Sequence, residues 1–151
     1  MAIEQLGSAP STALHTATKN YVDTKFSGAA TAGVIATEST TSTGFVDLAT
    51  VTDSVTVTIG TSGMALVIVH AIGQNTTAGA YADMSYAVSG ATTLAADTNQ
   101  IVRFTQTLTA SSGVFLQTGL TAGSNTFKAK YRQQAGGTAT FLYRRIAAIP
   151  L

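Results

Sequence analysis

The sequence has no cysteine, no tryptophan and only two prolines among its 151 residues. Without thiols the chain has no disulfide bond, thiolate zinc site, iron–sulfur cluster or cysteine nucleophile. Charged residues make up 10% of the chain and the formal net charge is +1, which argues against nucleic acid as a partner. Stability must therefore come from the packing of uncharged side chains.

Long apolar runs are also lacking. The longest covers residues 64–71, interrupted only by His70, and is far shorter than the roughly 20 residues that span a bilayer. The N-terminus lacks the basic and then apolar pattern of an export signal. The sequence therefore predicts a soluble protein with no membrane partner.

Small and β-branched residues dominate what is present, with 27 Thr, 25 Ala and 14 Gly. Thr and Val favour extended backbone because a branched Cβ fits a strand better than a helix. Small side chains bury little apolar area in a subunit of this size. We therefore expect an all-β protein that gains further buried surface by association with identical copies.

From Phe45 onward, apolar and polar residues alternate with a period of two, and Gly-, Asn- and Ser-rich turns recur about every ten residues. This pattern predicts an eight-stranded antiparallel jelly-roll sandwich as the head domain, residues 45–151. The predicted strands cover residues 45–51, 54–59, 64–72, 80–88, 101–108, 113–118, 125–132 and 138–148.

The N-terminal third has a different pattern. Residues 1–26 are predicted to form a docking peptide and a short helix that begins near Ser11 or Thr12, after Pro10. Residues 27–44 consist mainly of Ser, Gly, Ala and Thr and predict a flexible linker. The helix is too short to be stable alone, so it should pack on its copies or on another protein. Its candidate docking residues are Leu14, His15, Ala17, Tyr21 and Val22.

The strand over residues 64–72 does not alternate, which predicts that both of its faces are covered, one of them by another subunit. Arg144 and Arg145 are adjacent and must point to opposite sides of their strand. The inward one needs a partner, and an intersubunit ion pair with an Asp would supply it. The predicted oligomer interface comprises Met64, Leu66, Val67, Ile68, Val69, His70, Arg144 and Arg145.

Residues that could carry catalysis are scarce. The only histidines, His15 and His70, lie in no nucleophile-elbow or metalloprotease pattern, and the carboxylates show no paired spacing. The sequence therefore predicts a protein that is not an enzyme and has no catalytic residue, cofactor or metal ligand. A metal bound by three His70 copies on a symmetry axis stays open.

Residues 10–23 read Pro-Ser-Thr-Ala-Leu-His-Thr-Ala-Thr-Lys-Asn-Tyr-Val-Asp. This segment resembles a motif of tailed-phage fibre and virion accessory proteins, with a Pro-Ser/Thr start, a His-Ala-Ala-Thr-Lys core and a Tyr-Val-Asp end. Thr16 replaces the first Ala of that core. The resemblance implies a helical connector at which three chains associate before a β-rich head. Residues 137–146 are also similar to the last core strand of trimeric virion jelly rolls.

The resemblance implies a virion structural protein made in the host cytoplasm and placed on the particle surface. The expected form is a homotrimeric capsid decoration protein or head fibre, docked by its N-terminal arm on the major capsid protein or another virion protein. The alternative is a tail-fibre or tail-tip module that binds a host-surface saccharide. Its candidate ring platforms are Tyr81 and Tyr86, beside the predicted loops 74–79 and 89–99.

Lys128, Lys130 and Arg132 lie two residues apart and therefore share one face of a predicted strand. Two interpretations stay open. The cations pair with carboxylates of the same assembly, with Asp47, Asp53 and Asp83 as the candidates. Otherwise they form a basic strip that contacts an acidic capsid surface or a cell-wall polymer.

Overall fold

The computed structural model describes residues 28–151, and within them the chain forms nine β-strands and one short 3-10 turn, Thr98–Gln100. The predicted docking peptide and helix, residues 1–26, lie outside the described residues. The strands are β1 (Ala30–Val34), β2 (Glu38–Thr40), β3 (Ser54–Ile59), β4 (Ala65–Asn75), β5 (Tyr81–Gly90), β6 (Val102–Phe104), β7 (Thr109–Gln117), β8 (Gly123–Gln134) and β9 (Ala139–Pro150).

The strands form two sheets, and every pairing is antiparallel. Sheet A has the order β1-β9-β4-β7, with β2 also paired to β9, and sheet B has the order β3-β8-β5-β6. Chain neighbours such as β3 and β4 thus lie in opposite sheets, as expected for a jelly roll. The predicted all-β, antiparallel jelly-roll sandwich is confirmed. No helix of residues 28–151 is long and apolar enough to cross a membrane.

The predicted flexible linker, residues 27–44, is wrong where β1 and β2 lie. Both strands pair with β9, and Ala30 lies opposite Ala148 at one end of the ladder. Main-chain hydrogen bonds to β9 order these small residues, and Val34 is buried. Conversely, the predicted strand 45–51 is absent, because this segment joins β8 only at the isolated pair Val46 and Tyr131.

Alternating burial along β3, β4 and β8 defines the core between the sheets. In β4 the odd-numbered residues from Ala65 to Asn75 are buried, while the even-numbered residues are partly exposed. Val67 and Val69 have no exposed surface, so the subunit's own chain covers them and they face away from any neighbouring subunit. The sequence predicted that both faces of this strand are covered. Within the subunit only the core-facing side is covered, and the other side is partly exposed.

A β-bulge in β9 decides which side chains reach the core. His70 pairs with Arg145 but Ile72 pairs with Leu142, so Tyr143 and Arg144 together oppose Ala71. Tyr143 has φ of 50°, a backbone conformation unusual for a residue with a side chain. The extra residue leaves Tyr143 exposed and turns Arg144 inward.

Candidate functional site

Most side chains on the side of sheet A that faces away from the core are apolar. Cross-strand pairs place Leu66 beside Leu116 and Ile149, and Ile68 beside Val114 and Ala147. We call this surface the outer face of sheet A. It comprises Leu66, Ile68, His70 and Ile72 of β4, Ser112, Val114 and Leu116 of β7, and Leu142, Tyr143, Arg145, Ala147 and Ile149 of β9.

Large apolar side chains on this face are open to solvent. Val114 is 59% exposed, Leu116 56% and Tyr143 49%. The solvent side of an antiparallel sheet normally carries polar residues, and contiguous apolar patches mark interaction surfaces. The outer face of sheet A therefore has the character of a contact surface. It contains Leu66, Ile68, His70 and Arg145 of the predicted interface.

One polar row crosses the apolar face. Ser112, His70 and Arg145 are cross-strand neighbours, and His70 Nδ1 lies 2.9 Å from Ser112 Oγ. Within residues 28–151 no carboxylate projects from this face. Gly33 lies beside the row, and a Cβ there would meet the Arg144 carbonyl oxygen at 2.9 Å and the Arg145 side chain at 3.1 Å. The glycine thus leaves room for the Arg145 stem to lie across β1.

Arg144 points the other way and is fully buried. Its Nη2 donates to Glu38 Oε2 at 2.9 Å, and its Nε donates to Asp53 Oδ2 at 3.3 Å. The carbonyls of Ala36 and Thr50 accept two more hydrogen bonds. The expected intersubunit partner of the inward arginine is therefore wrong, because its carboxylates come from its own subunit. The opposite orientation of Arg144 and Arg145 is confirmed.

Glu38 makes the stability contributed by this cluster depend on pH. Burial raises the pKa of its carboxyl, but hydrogen bonds from Thr50 and the charge of Arg144 outweigh burial and lower the pKa below its ordinary 4.5. A carboxylate whose pKa is lower in the folded state stabilises the fold at pH values above its unfolded-state pKa. This stabilisation is lost as the pH falls through the folded-state pKa.

We therefore expect the free energy of unfolding to fall as the pH drops below about 4.5, because protonation of Glu38 weakens its contacts with Arg144. Urea titrations across this range would measure the loss. The variant Glu38→Gln should be less stable at neutral pH and should show a flatter acid limb. Identical pH profiles for the two proteins would contradict the role of Glu38.

Every cation of the candidate basic strip forms an ion pair within the subunit. Asp47 accepts from Lys128 Nζ at 2.9 Å and from Lys130 Nζ at 2.7 Å. Asp83 is buried and pairs with both Arg132 and Arg103. The interpretation that these charges pair internally is confirmed for all three cations of the strip.

The structure rules out Tyr86 as a ring platform and leaves Tyr81 with one face already occupied. Tyr86 is buried and its hydroxyl donates to Gln117 Oε1 at 3.0 Å. Tyr81 is partly exposed, and the Arg103 guanidinium stacks on one face of its ring, 4.5 Å from the ring centroid. Within residues 28–151 the most exposed aromatic ring is that of Tyr143, which sequence reasoning missed because a bulge exposes it.

The remaining predicted residues have simple placements. Met64 precedes β4 and is partly exposed, and its carbonyl accepts from the backbone N–H of Leu151. The docking-helix residues lie outside the described part of the chain. Residues 28–151 contain no group of three His, Asp or Glu side chains arranged to hold a metal ion.

No protein-family model and no curated protein matches the sequence. Solved structures of similar fold include TmCBM61 in complex with β-1,4-galactotriose, at 14% identity and a TM-score of 0.38, covering 85% of this chain and 95% of that one. The CBM22-1 xylan-binding domain from Paenibacillus barcinonensis Xyn10C matches at 13% identity and a TM-score of 0.36, covering 81% and 99%. The likeness in both cases is one of fold.

Proposed function

We propose that the protein is a non-enzymatic structural protein of a tailed-phage virion whose β-sandwich head assembles into a homotrimer. The observation that carries the proposal is the apolar outer face of sheet A. Fully burying an exposed Leu, Ile or Val side chain contributes about 1.5–3 kcal/mol, and Val114 and Leu116 are each more than half exposed on this face. Three copies follow from the resemblance of residues 10–23 to a connector at which three chains associate.

The proposed place of the trimer is the particle surface, as a capsid decoration protein or head fibre. Each subunit brings one N-terminal arm, residues 1–26, so a trimer contacts its platform three times. Linked contacts raise the overall affinity without a strong single contact, provided that the arms reach their sites together. The compact β-sandwich would be the displayed part.

The trimer is tested by light scattering on the full chain after size exclusion. We expect three times the subunit mass of 15.4 kDa. Ile68→Glu, which places a charge at the centre of the outer face of sheet A, should give monomers that still fold. Thr58→Glu, at an exposed position of β3 in sheet B, is the matched control and should stay trimeric. A monomeric parent chain would refute the proposal.

The location is tested on purified particles of the phage that encodes the chain. Mass spectrometry should find the protein on these particles. A shortened chain without residues 1–26 should still fold into the sandwich but should be missing from the particles. Full occupancy by the shortened chain would refute docking by the arm.

A second candidate function is recognition of a host-surface saccharide. The half-exposed ring of Tyr143, next to Arg145 on the outer face of sheet A, favours it, because sugar sites combine an aromatic platform with polar groups. A glycan array probed with the full chain and with Tyr143→Ala separates the candidates. Binding that depends on Tyr143 would support saccharide recognition, and no binding by either protein would count against it.

A further inference from the structure

The ion pairs of residues 28–151 leave one acidic and one basic side chain without a charged partner. Every other described Asp, Glu, Lys and Arg takes part in an ion pair within the subunit. The two exceptions are Asp97 and Arg145, and both are exposed. Asp97 accepts the backbone N–H of Asn99 at the start of the 3-10 turn. The two remaining groups thus have opposite charge.

Asp97 lies at one edge of the sandwich. At this edge β6 is the edge strand of sheet B and β7 is the edge strand of sheet A. The carbonyl of Asp97 accepts from Ser85 of β5 at 3.1 Å, and Gln100 donates to Gln117 of β7 at 2.7 Å. These bonds hold the turn across the edge, which also exposes Leu94 and Leu108. We call this surface the β6–β7 edge.

Arg145 and Asp97 belong to different sides of the same subunit. Arg145 projects from the outer face of sheet A, on the strand between β1 and β4. Asp97 is held by β5 of the opposite sheet, at the edge. An ion pair between them therefore requires two subunits. Both surfaces also present exposed apolar side chains, so a face-to-edge contact buries apolar area around the pair.

We infer that the β6–β7 edge of one subunit packs on the outer face of sheet A of the next, and that Asp97 pairs with Arg145 across this contact. The inference rests on the proposed trimer and assigns the surfaces that form it. A contact between two different surfaces relates each subunit to the next by a rotation. When that rotation is 120°, three copies form a closed ring. The charge pair would fix the register between subunits more than it adds affinity.

The test is a charge exchange, measured as the subunit dissociation constant by analytical ultracentrifugation. Arg145→Glu and Asp97→Lys should each raise that constant at least about tenfold, because like charges then meet across the contact. The double variant, carrying both changes, should restore most of the affinity. Thr58→Lys and Thr58→Glu are controls of either sign on sheet B and should change little. Far-UV circular dichroism checks that each variant folds.

The outcomes separate this inference from the proposed function. A trimeric parent chain with single variants of unchanged affinity, or with no restoration in the double variant, would overturn the pair while the trimer stands. Weakening by Arg145→Glu alone would also overturn it and would direct attention to Glu4 and Asp23, which lie outside the described residues. A monomeric parent chain would refute both proposals.

Discussion

Replacing Arg144 with Ala is expected to lower the free energy of unfolding by about 3–5 kcal/mol, because it leaves the buried carboxylate of Asp53 and the partly buried carboxylate of Glu38 without their cation. Asp53 and Glu38 would keep their desolvation cost and lose the cation that offsets it. Thr50 and Ala36 would each lose a hydrogen bond to their carbonyls. Urea denaturation at neutral pH, monitored by circular dichroism, measures the effect.

The matched control for this prediction is Lys130→Ala. It also removes a cation from an ion pair, but the pair with Asp47 is partly exposed, and such pairs contribute about 0–1 kcal/mol. Equal effects of Arg144→Ala and Lys130→Ala would show that burial does not set the cost. A loss below about 1 kcal/mol for Arg144→Ala would refute the role given to this cluster.

Replacing Phe141 with Ala should cost a similar 3–5 kcal/mol, for a different reason. Phe141 is fully buried on β9, and its ring packs against Tyr131 of sheet B at 4.8 Å and Phe104 at 5.9 Å between centroids. The shorter side chain would leave a cavity where the two sheets meet. The destabilisation is measured by thermal and urea unfolding of the folded variant.

Val51→Ala is the control for Phe141→Ala, because Val51 is a large apolar residue that is about half exposed. We expect a change within about 0.5 kcal/mol there. If Phe141→Ala were tolerated as well as Val51→Ala, the contact between the sheets would not depend on the aromatic cluster.

Alternation made part of the fold predictable. In residues 54–59 each apolar residue faces the core and each hydroxyl faces solvent, so the sequence predicted β3 with its observed bounds. In β4 the signal disappears because both faces are apolar, one for the core and one on the outer face of sheet A. The missing alternation predicted a contact surface. It did not show that Val67 and Val69 face the core while Leu66 and Ile68 lie on the outer face.

Tertiary contacts set the features that the sequence did not reveal. The bulge at Tyr143 determines which of Arg144 and Arg145 points into the core, and strand periodicity does not predict this bulge. The strands β1 and β2 have almost no apolar pattern, and they become ordered because β9 offers an edge for their main-chain hydrogen bonds. Local propensity therefore gave a linker where the fold places two strands.

Because β1 lies beside the end of β9, Gly28 sits against Pro150, so residues 28 and 150 share one pole of the sandwich. The turn 135–138 and the loop 76–80 meet at the far pole, where Thr138 N–H donates to Thr76. If the arm binds a shell, a cargo peptide fused after Leu151 would be trapped underneath the head. The same peptide inserted at Gly136 would point outward, which makes that turn the better site for display engineering.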